Sequence, residues 1–345
     1  MLQSLTDLGI QAALLAALQA TFGFSSFRPG QQEIVEAILE RKHVLAIMPT
    51  GAGKSLCYQL PAIYSGQRTI VISPLVALMD DQVAGLTQVG VAVSKIHSGV
   101  SRDENVVEWK RFAAGDSSIL YMSPERLMQP RMIQALQNLG IGLFVVDEAH
   151  CVSKWGADFR PDYEALAQLK QHFPQAVITA FTATADKATS ADIAEKLTGN
   201  KCAVFTRGFD RPNLSLKVLP KHDFKPELLS FVTDRKQHSG IVYCLSRNET
   251  DDIASLLVAE GFNAIAYHAG KDADYRREAQ DRFMTEEAVV MVATIAFGMG
   301  IDKPDIRYVV HASLPSSVEA FYQEIGRAGR DGAPAETLMF YGLQD

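Results

Sequence analysis

The sequence predicts an α/β fold made of two domains in series, each with a parallel sheet covered by helices. Three observations lead to this prediction. The chain has 345 residues, which exceeds one ordinary domain and suits two that each bury a core. Short apolar runs alternate with helical patterns in both halves. The alternation stops once, at 207–220, where Gly208 and Pro212 precede a short extended segment. We therefore expect domains at 1–208 and 209–345, joined by a linker at this segment.

The predicted strands of the first domain are short apolar runs, each followed by a stretch with helical periodicity. They lie at 43–48, 69–73, 118–122, 142–146 and 176–181. The same pattern in the second domain gives strands at 240–245, 263–267, 288–293 and 307–311, with helices such as 247–260 and 316–325 between them, and a last strand at 335–341 after a glycine-rich turn. Strands that are separated by helices pair in parallel through crossover connections, so both sheets are predicted to be parallel.

The composition is that of a folded, soluble protein. Apolar residues make up 47% of the chain and charged residues 21%, which excludes the disordered and collagen-like classes. The N-terminus has no basic region of the kind that begins a signal peptide. Its apolar stretch at 12–18 is short and is followed by polar residues, so it predicts an amphipathic helix and no membrane span.

Cysteine spacing and net charge restrict the chemistry further. Cys57, Cys151, Cys202 and Cys244 include no CxxC pair, so we expect no disulfide framework, no thiolate zinc site and a cytoplasmic location. The formal net charge is −7, whereas proteins held on DNA by many phosphate contacts usually carry a basic surplus. Any binding of nucleic acid is therefore expected to depend on a small number of contacts at one local surface.

A phosphate-binding loop is predicted at 49–55, with the sequence PTGAGKS, between an apolar strand and a helical run. Lys54 is placed to reach phosphate oxygens and Ser55 to bind Mg²⁺. Met48 stands where the full GxxxxGKS pattern has glycine, and a plain turn with a surface lysine is the alternative. The candidate nucleotide ligands in this loop are Thr50, Gly51, Gly53, Lys54 and Ser55.

Two acidic residues follow the apolar run at 142–146. Asp147 and Glu148 lie at a strand end, where ligands gather in open α/β sheets. Asp147 is expected to hold Mg²⁺ and Glu148 to orient and deprotonate the attacking water. Two acids that merely solvate a strand end are the alternative, and the phosphate loop upstream in the same predicted sheet argues against it.

The motifs resemble those of superfamily 2 helicases and most specifically those of the RecQ family. The resemblance covers essentially the whole chain and rests on FRPGQ at 27–31, DEAHCVSKWGADFRPDY at 147–163, FTATA at 181–185 and QEIGRAGRDG at 323–332. It implies two RecA-like domains, and ATP and Mg²⁺ as cofactors. The implied activity is 3′–5′ translocation on single-stranded DNA in recombination and repair. The superfamily tolerates a residue such as Met48 at the first loop position.

By this resemblance, Phe24 and Arg28 sandwich the adenine and Gln31 hydrogen-bonds its edge. A glutamine amide suits that role because it can donate and accept at once. A solvent-facing helix start with Pro29 in its first turn is the alternative.

The resemblance also implies that Arg330, supported by Arg327, faces the γ-phosphate across a cleft, and that Gln323 senses phosphate. Exposed surface arginines are the alternative, although the frequent glycines of this segment suggest a backbone shaped for a ligand. In the preceding motif, Gly300 and Asp302 would contact ribose and Mg²⁺. Asp302 stands where many relatives have asparagine.

Aromatic and cationic residues in the loop after the acids predict a base-stacking surface. In RecQ proteins this loop reports DNA occupancy to the ATP site, and its candidates here are Trp155, Phe159 and Arg160. A hydrophobic plug is the alternative, and Lys154 and Ala157 depart from the usual family residues. Further DNA-binding candidates by resemblance, each individually compatible with ordinary turn chemistry, are Ser73, Pro74, Ser123, Arg126, Tyr243, Arg247 and His268.

The predicted function is a DNA helicase motor that acts as a monomer on single-stranded DNA and DNA junctions, with no membrane partner. Two alternatives remain: an RNA-dependent ATPase of the same superfamily, and a nucleotide-gated DNA-binding protein without turnover. RecQ proteins usually continue into a zinc-binding region and a winged helix. Because this chain contains no cysteine cluster, those parts are expected to be absent.

Overall fold

The chain divides into two compact units, Met1–Gly208 and Phe209–Asp345. The structure is a computed structural model that describes residues 2–74, 76–155, 159–208, 211–295, 297 and 303–342, with side chains from position 9 onward except at 77 and 319. Within that part of the chain, no helix is long and apolar enough to cross a membrane.

The first unit is built from alternating strands and helices. Its strands are β1 (His43–Ile47), β2 (Thr69–Ile72), β3 (Val93–Ile96), β4 (Ile119–Met122), β5 (Leu143–Val146), β6 (Val177–Thr182) and β7 (Cys202–Thr206). Its helices are α1 (Leu2–Phe22), α2 (Gln31–Leu39), α3 (Lys54–Ser65), α4 (Val76–Gln88), α5 (Arg102–Ala114), α6 (Pro124–Leu127), α7 (Pro130–Leu139), α8 (Pro161–Glu164), α9 (Leu169–His172) and α10 (Lys187–Thr198). Two 3₁₀ turns lie at Ala149–Val152 and Ala165–Gln168.

The strands of this unit form a parallel sheet in the order β3-β4-β2-β5-β6-β1-β7. Successive side chains of a strand point to opposite faces. Accordingly, Leu45 and Ile47 of β1 join one apolar cluster, whereas Val44 and Ala46 join another. Burial of each such aliphatic side chain contributes about 1.5–3 kcal/mol, so helices on both faces stabilise the sheet.

The second unit repeats the plan with a smaller parallel sheet, ordered β10-β11-β9-β12-β13-β8. Its strands are β8 (Leu214–Pro220), β9 (Gly240–Tyr243), β10 (Asn263–Tyr267), β11 (Val289–Ala293), β12 (Tyr308–His311) and β13 (Ala335–Tyr341). Its helices are α11 (Phe224–Thr233), α12 (Arg247–Ala259), α13 (Ala273–Thr285) and α14 (Val318–Ile325), with a 3₁₀ turn at Lys221–Asp223. The predicted fold of two parallel α/β domains is confirmed.

Three strands are missing from the sequence prediction. β3 reads VSKI and contains two polar residues, of which Ser94 is buried and hydrogen-bonds Ser117 at 2.7 Å between the hydroxyl oxygens. β7 and β8 are edge strands with many exposed side chains, which weakens their apolar pattern. The linker predicted at 207–220 is therefore too long, because its residues 214–220 pair with β13.

Side-chain caps fix the starts of several helices. Ser101 and Glu104 form a reciprocal capping box at α5, and Asp186, Ser246 and Ser317 accept from backbone N–H groups at α10, α12 and α14. Helix α3 differs, because its N-cap residue is Gly53, which has no side chain that could accept from the first N–H groups.

Candidate functional site

The start of α3 has the geometry of an anion-binding helix terminus. Gly51 and Gly53 adopt left-handed backbone angles, with φ of 83° and 77°, and Gly53 immediately precedes the helix. The N–H groups at the start of a helix and the helix dipole favour a phosphate at this point. Lys54, the first helical residue, donates from its ammonium to the carbonyl of Met48 at 3.3 Å. Thr50 and Ser55 flank these residues and are half-buried.

The predicted adenine residues lie beside this loop. The Gln31 side chain is buried, and its Nε2 donates to the carbonyls of Ala52 and Gly53 at 3.1 Å each, while its Oε1 accepts from the Arg28 N–H at 2.8 Å. The Arg28 guanidinium donates to the carbonyl of Gly51. Phe24 is exposed. In this structure Gln31 and Arg28 thus hold the phosphate loop, and their contact with adenine remains a prediction.

Close packing explains the glycine that precedes α2. Gly30 has a φ of 85°, and a Cβ atom there would lie 2.1 Å from Nε of Arg207. Arg207 also pairs with the Glu33 carboxylate, and its N–H donates to the carbonyl of Ile47 at 2.9 Å. Sequence reasoning did not identify Arg207, because it lies outside every motif.

Asp147 follows β5 and is buried. Burial and the neighbouring Glu148 carboxylate raise the pKa of Asp147 to about 7, against the lowering effects of the Lys54 ammonium and of the Glu148 N–H, which donates to Oδ1 at 3.0 Å. The opposing effect of Lys54 places that cation near the carboxylate. The phosphate loop and the acidic pair therefore share one edge of the sheet.

Glu148 is held in an unusual conformation. Its φ and ψ are both 47°, in the left-handed region that a non-glycine residue seldom adopts. Its Oε2 is buried, accepts no hydrogen bond from the described residues, and lies 3.5 Å from Nδ1 of His150. Nδ1 of His150 is also 3.0 Å from the Thr182 hydroxyl, which in turn donates to the carbonyl of Thr184. The turn after β5 is therefore tied to the end of β6.

These residues fit a Mg²⁺ ion that is bound together with a nucleotide. No group of three or more His, Cys, Asp or Glu side chains among the described residues could hold a metal alone. Mg²⁺ usually takes one or two protein oxygens and completes its shell with substrate phosphates and water. The buried Asp147 carboxylate and the Ser55 hydroxyl near the same loop supply that donor set, and a cation would reverse the penalty of charging Asp147.

The aromatic loop, residues 153–163, connects the acidic pair to a neighbouring strand end. Trp155 is 77% exposed, and the Lys154 ammonium lies 5.8 Å from the centre of the Phe159 ring. The Arg160 guanidinium donates to the carbonyl of Pro74 at 3.1 Å. The buried Tyr163 hydroxyl donates to the carbonyl of Asp147 at 3.2 Å. Ala157 lies outside the described residues.

In the second unit, Arg327 and Arg330 belong to the turn that follows α14. Arg327 is buried and close enough to Tyr243 to oppose the rise in the pKa of Tyr243 that burial causes. Tyr243 stacks on His311, whose Nε2 is 2.7 Å from the Glu324 carboxylate. Arg330 is half-buried, as is Gln323 in the last turn of α14.

Comparisons with known proteins agree with these features. Residues 28–193 match the DEAD/DEAH box helicase family, and residues 220–332 match the helicase conserved C-terminal domain. The ATP-dependent DNA helicase RecQ of Pasteurella multocida is 44% identical over 98% of this chain and 54% of its own length. RecQ of Bacillus subtilis is 42% identical over 94% of this chain and 55% of its own length. The chain belongs to the RecQ family of superfamily 2 helicases.

The chain spans about half the length of the curated relatives that it matches. Among solved structures, helicase Lhr of Mycobacterium smegmatis bound to ssDNA and AMP-PNP has a TM-score of 0.70 at 23% identity, covering 93% of this chain and 46% of that chain. The DUF1998 helicase MrfA bound to DNA has a TM-score of 0.76 at 20% identity, covering 95% and 50%. Both likenesses concern the fold alone.

The remaining DNA-binding candidates lie at strand ends and helix starts. Ser73 follows β2, and its buried hydroxyl makes no hydrogen bond to the described residues. Ser123 precedes α6 without capping it through its side chain, and the exposed Arg126 guanidinium donates to Oε1 of Gln129 at 3.0 Å. Pro74 follows Ser73 and accepts from the aromatic loop.

Two candidates of the second unit come together at one corner of its sheet. His268 follows β10, accepts from the N–H of Gly270 at 3.1 Å through Nδ1, and contacts the Asp251 carboxylate at 3.1 Å through Nε2. Asp251 also pairs with Lys271 at 2.8 Å. A Cβ at Gly270 would lie 3.3 Å from Cδ of Arg247, which places Arg247 beside this turn. Gly300 and Asp302 lie outside the described residues.

Proposed function

We propose that this chain is the motor core of an ATP-dependent DNA helicase. It hydrolyses ATP in the presence of Mg²⁺, single-stranded DNA stimulates the hydrolysis, and the cycle drives 3′–5′ translocation and unwinding in recombination and repair. The polarity and the biological process rest on the family resemblance. As the site of action we propose the cytoplasm, with the chain working as a monomer on single strands and DNA junctions. The described cysteines are all free thiols, which suits a reducing compartment.

One observation carries the proposal: the start of α3 after Gly53, Lys54 and the buried Asp147 share one sheet edge. Phosphate and Mg²⁺ each have a complementary partner at this edge. The N–H groups and the Lys54 ammonium bind phosphate oxygens. Glu148 orients the attacking water and accepts its proton. Asp147 and Ser55 would hold Mg²⁺, which supplies charge neutralisation at the phosphates when bound.

The second unit contributes guanidinium groups in this proposal. Arg330 stabilises charge on the transferring phosphoryl oxygens and Arg327 supports it, because a planar fork of donors matches those oxygens. Gln323 senses the phosphate. Adenine selection through Phe24, Arg28 and Gln31 belongs to the same proposal, as do ribose and Mg²⁺ contacts from Gly300 and Asp302.

DNA is favoured over RNA as the stimulating polymer because the aromatic loop resembles the corresponding loop of the RecQ DNA helicases. Trp155 is exposed enough to stack on a base, while Arg160 and Tyr163 tie the same loop to the ends of β2 and β5. Stacking and backbone contacts need no basic surplus, so a chain of net charge −7 can still bind a strand locally.

Steady-state hydrolysis of ATP with Mg²⁺ tests the proposal. The rate is measured alone, with single-stranded DNA, and with RNA of the same sequence. We expect DNA to stimulate by roughly 10-fold or more and RNA to have a much smaller effect. Stronger stimulation by RNA would assign the chain to the RNA-dependent ATPases. Nucleotide-dependent DNA binding without hydrolysis would make it a gated binding protein.

Polarity needs a separate assay. Oligonucleotides carrying biotin at either the 3′ or the 5′ end are loaded with streptavidin, and ATP-dependent displacement is followed. A 3′–5′ translocase moves toward the 5′ end, so streptavidin should leave the 5′-labelled strand faster. Faster release from the 3′ end would reverse the proposed polarity.

A further inference from the structure

The turn that bears both arginines is held by two side chains from the beginning of the second unit. We call residues 326–333 the arginine loop. The Arg211 guanidinium donates to the carbonyls of Gly326, Ala328 and Gly329 at 3.5, 2.9 and 2.8 Å. These partners lie 115 to 118 residues away along the chain. The loop is therefore anchored by a segment outside its own motif.

Asn213 also holds the arginine loop, and we call Arg211 and Asn213 together the clamp. Its Nδ2 donates to the carbonyls of Gly329 at 3.0 Å and Ala333 at 2.9 Å, so one amide joins the two limbs of the loop. The Arg211 Nε donates to the Asn213 Oδ1 at 3.2 Å, which fixes the two clamp residues against each other. The N–H of Ala335 donates to the Asn213 carbonyl at 2.9 Å and continues the contact into β13.

The clamp meets a need that follows from helix geometry. The last carbonyls of α14 and of the turn after it lack partners inside the helix. Residues 326–329 are buried, so water cannot satisfy those carbonyls. A guanidinium at this position satisfies them through charge-assisted bonds and also suits the negative end of the helix dipole.

Gly329 shows how closely the clamp and the loop fit. Its φ is 58°, and a Cβ there would lie 2.5 Å from Nδ2 of Asn213 and 2.8 Å from the carbonyl oxygen of Ala333. Arg307 supports the loop from another point through an ion pair with Asp331. Two independent sets of contacts thus restrict the backbone from which the functional arginines extend.

We propose that Arg211 and Asn213 are positioning residues for Arg330 and Arg327. Their replacement lowers kcat and leaves the affinity for ATP nearly unchanged. This inference rests on the proposed function, in which Arg330 acts on the transferring phosphoryl group. The clamp touches backbone carbonyls of the loop, so it acts on the direction in which the arginine side chains leave the turn. A guanidinium that is needed mainly in the transition state affects kcat when it is misplaced.

Two variants test the clamp, with one matched control. Arg211→Lys keeps the charge but loses the planar fork that reaches several carbonyls at once, and Asn213→Ala removes the amide. The control is Arg282→Ala, which removes a guanidinium that bonds Glu286 and Asn263 on the surface of the same unit. At saturating single-stranded DNA, we expect each clamp variant to lower kcat by roughly 10- to 100-fold while the Kd for ATP changes less than about twofold. The control should match the parent.

A double variant separates positioning from a general structural role. If Arg211 acts through Arg330, then Arg211→Lys should cause little further loss of kcat when Arg330→Ala is already present. Independent, multiplicative losses would overturn the proposal, because they would show that Arg211 supports hydrolysis by another route.

Hydrogen exchange of the backbone amides in 326–335 gives a readout that does not need activity. The clamp variants should exchange faster there than the parent, with the rest of the unit unchanged. Unchanged exchange, or faster exchange without a loss of kcat, would overturn the inference. Absence of hydrolysis by the parent and by Arg282→Ala would instead overturn the proposed function, and the kinetic role of the clamp with it.

Discussion

The Lys54 ammonium donates to the Met48 carbonyl at 3.3 Å and opposes the rise that burial causes in the pKa of the Asp147 carboxylate. The cation therefore lies at the entrance to α3, where the nucleotide phosphates are proposed to bind. At the scale of single residues, the two charges of this pair can be tested separately.

Replacement of Lys54 by alanine should abolish ATP turnover and leave the fold intact. The side chain is half-buried at the start of α3, so its removal costs little packing, whereas loss of a preorganised cation at the phosphates costs on the order of 100-fold or more in kcat. Steady-state hydrolysis and thermal unfolding are measured together. Parent-like hydrolysis with an unchanged melting curve would remove Lys54 from the catalytic set.

Replacement of Asp147 by asparagine should stabilise the nucleotide-free protein more at high pH than at low pH. Burial raises the pKa of Asp147 from 3.8 to about 7, so the folded protein retains a proton between these values that the unfolded chain has lost. The contribution of this proton to the free energy of unfolding falls as the pH rises toward 7. Asparagine does not titrate, so the variant has no such loss. The gain from Asp147→Asn should grow by on the order of 2 kcal/mol between pH 5 and pH 8.

Urea unfolding without Mg²⁺ or nucleotide measures this difference. Asp116→Asn, which removes one exposed carboxylate, is the control for the loss of a negative charge. A gain from Asp147→Asn that is the same at both pH values would show that burial does not hold the proton on Asp147.

The site residues that could be predicted from the sequence are those whose neighbours in the structure are also neighbours along the chain. The strand, loop and helix around Lys54 and the acids after β5 occur in consecutive residues, so their placement at a sheet edge could be predicted. The amide of Gln31 contacts the loop from 22 residues away, and Arg211 reaches carbonyls 115 residues away. No periodicity or spacing rule reports contacts of this kind, so they required the structure.

At the scale of elements, the aromatic loop is the piece whose parts contact different strand ends. It contacts the Pro74 carbonyl after β2 through Arg160 and the Asp147 carbonyl after β5 through Tyr163. Movement of the loop when it binds a base would therefore affect the ends of both β2 and β5.

The edge strands β7 and β8 are elements that could not be predicted from the sequence. Their exposed side chains carry little apolar pattern, so they were not identified as strands.

Trp155→Ala should leave basal hydrolysis close to that of the parent but blunt its stimulation by single-stranded DNA. Loss of one base stack of about 1–3 kcal/mol should raise the half-maximal DNA concentration by roughly 10- to 100-fold. Phe159→Ala should act in the same direction, and Trp155→Phe should retain most of the response.

The chain contains two tryptophans, which allows a direct check of stacking. In a Trp109→Phe background, the emission of Trp155 should be quenched when single-stranded DNA is added. Unchanged emission, together with equal stimulation of the parent and Trp155→Ala, would show that the loop serves packing only.

At the scale of the whole molecule, the charge balance bears on how strongly the proposed motor core would hold a DNA strand. The chain carries 33 Lys and Arg against 40 Asp and Glu, a net charge of −7, so long-range attraction to DNA is weak. Binding then depends on a limited number of phosphate contacts and base stacks. Each such contact releases counterions, so even a small number makes binding sensitive to salt.

We therefore predict that this 345-residue chain is a DNA-stimulated ATPase that unwinds long or blunt duplexes poorly. The half-maximal concentration of single-stranded DNA should be high and should rise by roughly 10- to 30-fold between 50 and 200 mM salt, as expected for a few phosphate contacts. The curated relatives are about twice as long as this chain, and the prediction assigns the duplex contacts to their additional residues. Fusion of that region from a relative should tighten DNA binding far more than it changes the maximal rate of hydrolysis. Efficient unwinding of long duplexes by the unfused chain at physiological salt would contradict this prediction and place the duplex grip within the two units themselves.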